Sequence, residues 1–142
     1  MLVVVSVVVF GFILLPIRVK GISMLPTYRD RGVNFVNRLA YLRHEPQRGD
    51  VVAIRTTGVH NMYMKRIIAL PGESIAFHKG RAFIDGKRLA EPYVRFSCDW
   101  EIAPEVLGPD EYFCVGDNRS MPSADHYMFK APRRRIVGKL LL

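Results

Sequence analysis

Ser23, in Gly21-Ile22-Ser23-Met24-Leu25-Pro26-Thr27, and Lys65, in Tyr63-Met64-Lys65-Arg66-Ile67-Ile68-Ala69-Leu70-Pro71-Gly72-Glu73, are the residues best suited to chemistry in this chain. A serine hydroxyl is a weak nucleophile at neutral pH and needs a positioned base to take its proton. Histidine is the common base, but a lysine serves where its surroundings hold it neutral. A free lysine titrates near ~10.4, and burial or a neighbouring cation, here Arg66, can lower that by several units. On a strand Lys65 would share a face with Tyr63, Ile67 and Ala69, groups that strip water from an amine. Pro26 makes a rigid turn just after the serine, and Gly21 lets the backbone come close to a ligand. Each segment alone has a plainer reading. The first could be a hydroxyl-capped turn, the second a lysine snorkelling from a strand edge.

The elements that would position these groups are mostly short strands. Val33–Asn37 alternates loosely, and Arg48-Gly49-Asp50 turns into Val51–Ile54, which reads as a buried strand. Met62–Leu70 is another, ended by Pro71-Gly72. Glu73–Phe77 and Arg81–Ile84 flank a Lys79-Gly80 turn, and Asp85-Gly86 makes a two-residue hairpin into Lys87–Leu89. Glu111–Val115 and Ile136–Leu142 complete the set. The stretch from Glu91 to Pro109 carries three prolines and little periodicity, so it reads as a long surface excursion. Short strands at regular intervals predict a mostly β fold, an antiparallel, curled or barrel-like domain over residues 19–142. Residues 1–18 read as an N-terminal membrane-anchor helix, because Leu2 to Ile17 is apolar apart from Ser6. That run is short of the ~20 residues a spanning helix needs. Arg18 and Lys20 follow it and no side-chain charge precedes it, which by the positive-inside tendency would put the carboxyl-terminal side in the cytoplasm.

Composition narrows the classes. A chain of 142 residues with 49% hydrophobic side chains can bury a core without metal or disulfide staples. Lys plus Arg number 21 against 13 Asp plus Glu, a formal +8 that suits anionic lipid headgroups or nucleic acid. No recognition-helix pattern, RNA-binding aromatic motif or zinc spacing is present, which favours lipid and excludes a nucleic-acid partner. Cys98 and Cys114 sit in no CxxC, and His44, His60, His78 and His126 show no ligand spacing with them, so no metal site is expected. A Cys98–Cys114 disulfide is permitted if the domain faces an oxidising compartment.

A third segment, Gly116-Asp117-Asn118-Arg119-Ser120-Met121-Pro122-Ser123-Ala124-Asp125-His126, is an ordinary turn by itself. In this order with Ser23-Met24-Leu25-Pro26-Thr27, Arg48-Gly49-Asp50-Val51-Val52, Lys65-Arg66 and Leu70-Pro71-Gly72-Glu73, it makes the chain from about Gly21 to Leu142 resemble the type I signal peptidases. Ile136-Val137-Gly138-Lys139 fits as well. The resemblance implies a membrane-bound serine endopeptidase that removes N-terminal signal peptides from exported preproteins, cutting after small residues. It implies Ser23 as nucleophile and Lys65 as general base, with the Ser23 N–H in the oxyanion hole. Gly21 stands where many relatives carry a serine that contributes to that hole. Ser123 matches the serine that orients the lysine, and Asp117 and Arg66 would form a supporting ion pair. The implied setting is the bacterial cytoplasmic membrane, single-pass, with the catalytic domain on the extracytoplasmic side. Preproteins and membrane phospholipids are the implied partners, and no cofactor is expected.

The chain departs from the family pattern after Arg119. Three residues rather than two precede Ser123, and His126-Tyr127 stand where the pattern has Ser-Arg. The arginine that pairs with the aspartate matching Asp125 is missing, which leaves His126, Arg119 or the Arg133–Arg135 run as its partner. The short gap from Lys65 to Gly116 implies that no large accessory domain is inserted. Two other readings stay open: a specialised pilin-processing relative, and a catalytically weak membrane-anchored binding protein.

Overall fold

Among the described residues, three of the four strands that end a sheet contain a proline. The computed structural model describes residues 1, 4, 6–7, 9–56, 62–126 and 130–141. Among them the larger sheet runs β1 (Leu14–Arg18), β2 (Val33–Asn37), β11 (Ile136–Leu140), β3 (Val51–Arg55), β4 (Met62–Ala69), β9 (Glu111–Val115) and β10 (Lys130–Pro132) in spatial order. The smaller sheet runs β7 (Lys87–Arg88), β6 (Arg81–Ile84), β5 (Ser74–His78) and β8 (Ile102–Val106). Every recorded pairing is antiparallel. Pro16 in β1, Pro132 in β10 and Pro104 in β8 cannot donate to a further ladder, so each suits an edge. The mostly β, antiparallel expectation holds, and among the described residues no pairing closes either sheet into a barrel. The larger one does curl: Leu15 and Ile17 of β1 pack with Val36, Val51, Ala53 and Met64.

Two further expectations change. Among its described residues the amino-terminal apolar run is helical at Val4, Ser6 and Val7, but the helix does not continue through to residue 18. A π turn at Val9–Ile13 leads directly into β1, which pairs with β2 from Leu14↔Asn37 to Arg18↔Val33. Pro16 disfavours a helix interior, and a neighbouring strand offers ladder partners that a lone helix lacks. No described helix is long and apolar enough to cross a membrane. Leu2, Val3, Val5 and Val8 lie outside the described residues. The Glu91 to Pro109 excursion contains β8, which pairs with β5 at Ser74↔Val106 and Ile75↔Glu105. Pro104 and four exposed positions hid this strand, whose side chains contribute little to the core.

The turns follow local chemistry. Lys79-Gly80 and Asp85-Gly86 all have positive φ, as two-residue type I′ hairpins require. Between the sheets lies one apolar cluster that includes Ile68, Ile75, Phe77, Trp100, Phe113 and Val115. On the other face of the larger sheet, Val52, Ile54, Ile67, Cys114 and Ile136 form a second. Cys98 and Cys114 are free thiols, the former beside Gly80 and the latter in that second cluster, so the permitted disulfide does not form.

Arg119 is buried at the margin of the first cluster, over the rings of Phe77 and Trp100. Its guanidinium is satisfied by both carboxylate oxygens of Glu91 and by Gly116 O at 2.9 Å. Removing one partner of a buried ion pair strands the other charge. Glu91→Ala is therefore expected to destabilise the fold by about 3–5 kcal/mol in denaturant titrations. A loss under about 1 kcal/mol would show that water reaches Arg119.

Candidate active site

Neighbouring residues of β4 meet opposite fates because side chains alternate along a strand. Arg66 donates to Asp117 through Nε at 2.8 Å and Nη2 at 2.7 Å, and to Gly49 O through Nη1 at 2.8 Å. The Tyr93 ring lies 4.0 Å from its guanidinium carbon. Burial works against the Arg66 charge, but the Asp117 bond and charge outweigh it and raise the pKa. Asp117 is fully buried and also accepts from Thr27 Oγ1 at 2.5 Å.

Lys65, one residue earlier, has no such partner. It stands opposite Val52 of β3, and two residues on Ile67 stands opposite Cys114 of β9. These three neighbours are fully buried, and Lys65 itself is 3% exposed. Among the described residues no carboxylate pairs with its amine. Lost hydration lowers the Lys65 pKa from 10.5 to about 8, and only the Cys114 thiol pulls weakly the other way. That thiol is itself pushed up to about 12 by burial. The result is an amine that is neutral in a useful fraction near physiological pH.

The segment from Gly116 to Arg119 ties these two residues to Ser23. Asn118 N donates to Ser23 O at 2.9 Å, and Asn118 Nδ2 donates to Ile22 O at 3.0 Å. Gly116 must be glycine for packing reasons: a Cβ there would lie 2.2 Å from Ser23 O and 3.1 Å from His126 Cε1. Cys114 and Gly116 alternate toward the Lys65 face, so the Ser23 carbonyl and the His126 ring stand over that side of the sheet. The Ser23 N–H meets no acceptor among the described residues. Gly21 has φ +96 with open space where a side chain would be, and its N–H donates to Asp30 Oδ1 at 2.8 Å. In the free protein the Ser23 hydroxyl is not hydrogen-bonded to Lys65; such contacts often tighten only with substrate.

The remaining expected residues sit less centrally. Ser123 opens the 3-10 turn Ser123–Asp125, and no hydrogen bond joins it to Lys65. Asp125 is exposed and pairs with none of the partners expected for it among the described residues; Tyr127 lies outside them. Arg119 is taken by Glu91, and Arg133 by Glu45 at 2.7 Å. Sequence reasoning missed the grip of Asn118 on the serine backbone and the placement of His126, whose only signal was its departure from a motif. Among the described residues no group of three or more metal-ligating side chains converges.

The profile described as "Signal peptidase, peptidase S26" matches residues 1–142. The chain is 36% identical over 141 residues to signal peptidase I T of Bacillus subtilis, covering 89% of this chain and 72% of that protein. It is 30% identical over 123 residues to probable signal peptidase I-2 of Synechocystis, covering 82% of this chain and 56% of that protein. Against the signal peptidase I of Leptolyngbya laminosa it likewise spans only 63% of the relative's length. The crystal structure of a signal peptidase I from Enterococcus faecalis superposes with a TM-score of 0.54 at 24% identity, over 68% of this chain and 97% of that one, a likeness of fold. With a buried lysine, a glycine-wedged serine and a paired Arg66–Asp117 in the expected order, this chain belongs to the signal peptidase, peptidase S26 family.

Proposed function

We propose that this chain carries the catalytic domain of a membrane-bound serine endopeptidase that removes signal peptides from exported preproteins, with Ser23 as nucleophile and Lys65 as general base. The observation that carries the reading is a lysine buried without a counter-ion and depressed to about 8. Structural lysines are seldom left dry and unpaired, whereas a lysine base requires that state.

In the proposed reaction Lys65 takes the Ser23 hydroxyl proton as Oγ attacks the scissile carbonyl carbon. The Ser23 N–H then donates to the oxyanion. Collapse breaks the C–N bond, Lys65 returns the proton to the leaving amine, and an acyl-enzyme remains. Water activated by the same amine hydrolyses that ester and restores the serine. Asp117, Arg66 and Asn118 would hold the serine backbone in register with β4. An extended substrate would add along the edge of β1, taking main-chain hydrogen bonds on either side of Pro16, which has no N–H to give. A groove of about 410 Å³ between Ile17, Ala53, Met62 and Tyr63 would receive its side chains. The outward apolar residues Phe12, Ile22, Val33 and Leu42, with the +8 charge, support work at an anionic bilayer. The proposed location is the extracytoplasmic face of a bacterial cytoplasmic membrane.

Two measurements test this. Ser23→Ala and Lys65→Ala should each lower preprotein cleavage by at least about 10³-fold with folding intact. In the wild type kcat should fall as pH drops below about 8, because the base becomes protonated. Undiminished cleavage in either variant, or a flat profile from neutral to acid pH, contradicts the assignment.

The same shift predicts a stability signature. The Lys65 pKa is about 8 when folded and 10.5 when free, so between those values the unfolded chain holds a proton that the folded chain lacks. Stability should therefore rise with pH across that window. Lys65→Met should exceed the wild type by up to about 3 kcal/mol at pH 7, the gap narrowing as pH rises toward 10.5. A variant less stable than wild type at pH 7 would mean that the amine is hydrated or paired.

A further inference from the structure

A buried imidazole beside the proposed base has no part in the mechanism above. His126 is 2% exposed and follows the 3-10 turn, its backbone N–H donating to Ser123 O at 3.1 Å. Its ring meets Trp100 edge-on, with centroids 4.8 Å apart and planes at 72°. Its Cε1 and the Ser23 carbonyl both crowd the point where a Gly116 Cβ would be. The ring thus packs against the backbone that carries the nucleophile, and within electrostatic reach of the Lys65 amine.

The charge states limit what this ring can do. Burial first, then the charges of Lys65 and Arg119, hold His126 down at about 4, so it is neutral wherever Lys65 titrates. Cys114, facing Lys65 from β9, is a neutral thiol in that range. Arg119 carries its charge paired with Glu91, and Arg66 is paired with Asp117. The depression of Lys65 therefore comes from lost hydration rather than from a neighbouring cation, and its size is set by the side chains that keep water out. Val52, Ile67 and Cys114 close the sheet side. The Ser23 side is where His126 packs.

We propose that His126 is a positioning residue for Lys65: its ring, wedged between Trp100 and the Gly116–Ser23 backbone, closes the amine's pocket to water. This rests on the Ser23–Lys65 reading. The family pattern places a serine here, which would leave most of the ring's volume unfilled.

The test reads Lys65 directly. The pH dependence of its acetylation by acetic anhydride, followed by mass spectrometry, is compared in wild type, His126→Ala and His126→Phe, beside kcat and KM for a preprotein. The wild-type midpoint should lie at about 8. His126→Ala should raise it by about one unit, which lowers kcat at pH 7 about tenfold with KM little changed, because fewer amines are neutral. His126→Phe, which keeps an apolar plug, should leave the midpoint near that of wild type. An unmoved midpoint in folded His126→Ala overturns the proposal, as does a shift in His126→Phe equal to that in His126→Ala. Should the alanine variant fail to fold, His126→Gln carries the same test, since its amide admits water: a raised midpoint supports the proposal and an unmoved one overturns it. If the wild type cleaves no preprotein the protease reading falls, while the acetylation midpoints still judge His126.

Discussion

Two cations stand next to each other on β4, and the site depends on giving a counter-ion to only one of them. Arg66 points to the face where Asp117, Gly49 O and the Tyr93 ring wait, and it stays charged. Lys65 points to the face of Val52, Ile67 and Cys114, and burial there works against its proton. Strand alternation keeps Asp117 from neutralising both. Were the register to slip by one residue, the lysine would take the carboxylate and the arginine would be buried without a partner.

The pairing of Arg66 also explains how the serine is held. Asp117 lies in the same short segment as Gly116 and Asn118, so the ion pair that anchors β4 fixes the loop that grips Ser23 O and Ile22 O. Thr27, four residues past the serine, bonds the same carboxylate from the other side. The Ser23 segment, β4 and the Gly116–Arg119 loop therefore meet around a single buried aspartate. No side chain could be added at Gly116 without pushing the serine carbonyl away.

Outside this centre the architecture works through its edges. Prolines in β1, β8 and β10 leave those strands without a full set of donors, which protects them from indiscriminate pairing. The curl that brings Leu15 and Ile17 of β1 over Ala53 and Met64 makes a groove lined by residues far apart in sequence.

Much of this was legible before any coordinates. The strands rich in apolar residues, Val51–Arg55, Met62–Ala69 and Glu111–Val115, announce themselves because much of each is buried on both faces. The I′ turns do so because Gly after Lys79 or Asp85 meets a specific φ requirement. β8 and β10 do not, since an edge strand that buries little has no periodic pattern to display. The end of the apolar start, Leu14–Arg18, misled for the converse reason: hydrophobicity alone cannot tell the last turns of a helix from a strand that finds a partner in β2. Residue types and order by themselves determined that a serine, a lysine and a glycine-aspartate-asparagine loop would be available. Tertiary structure alone decided that Lys65 would be left without a counter-ion, that Asp125 would face solvent and that a histidine would pack against the Gly116–Ser23 backbone. Burial and proximity are properties of neighbours distant in sequence, and a local pattern carries no record of them.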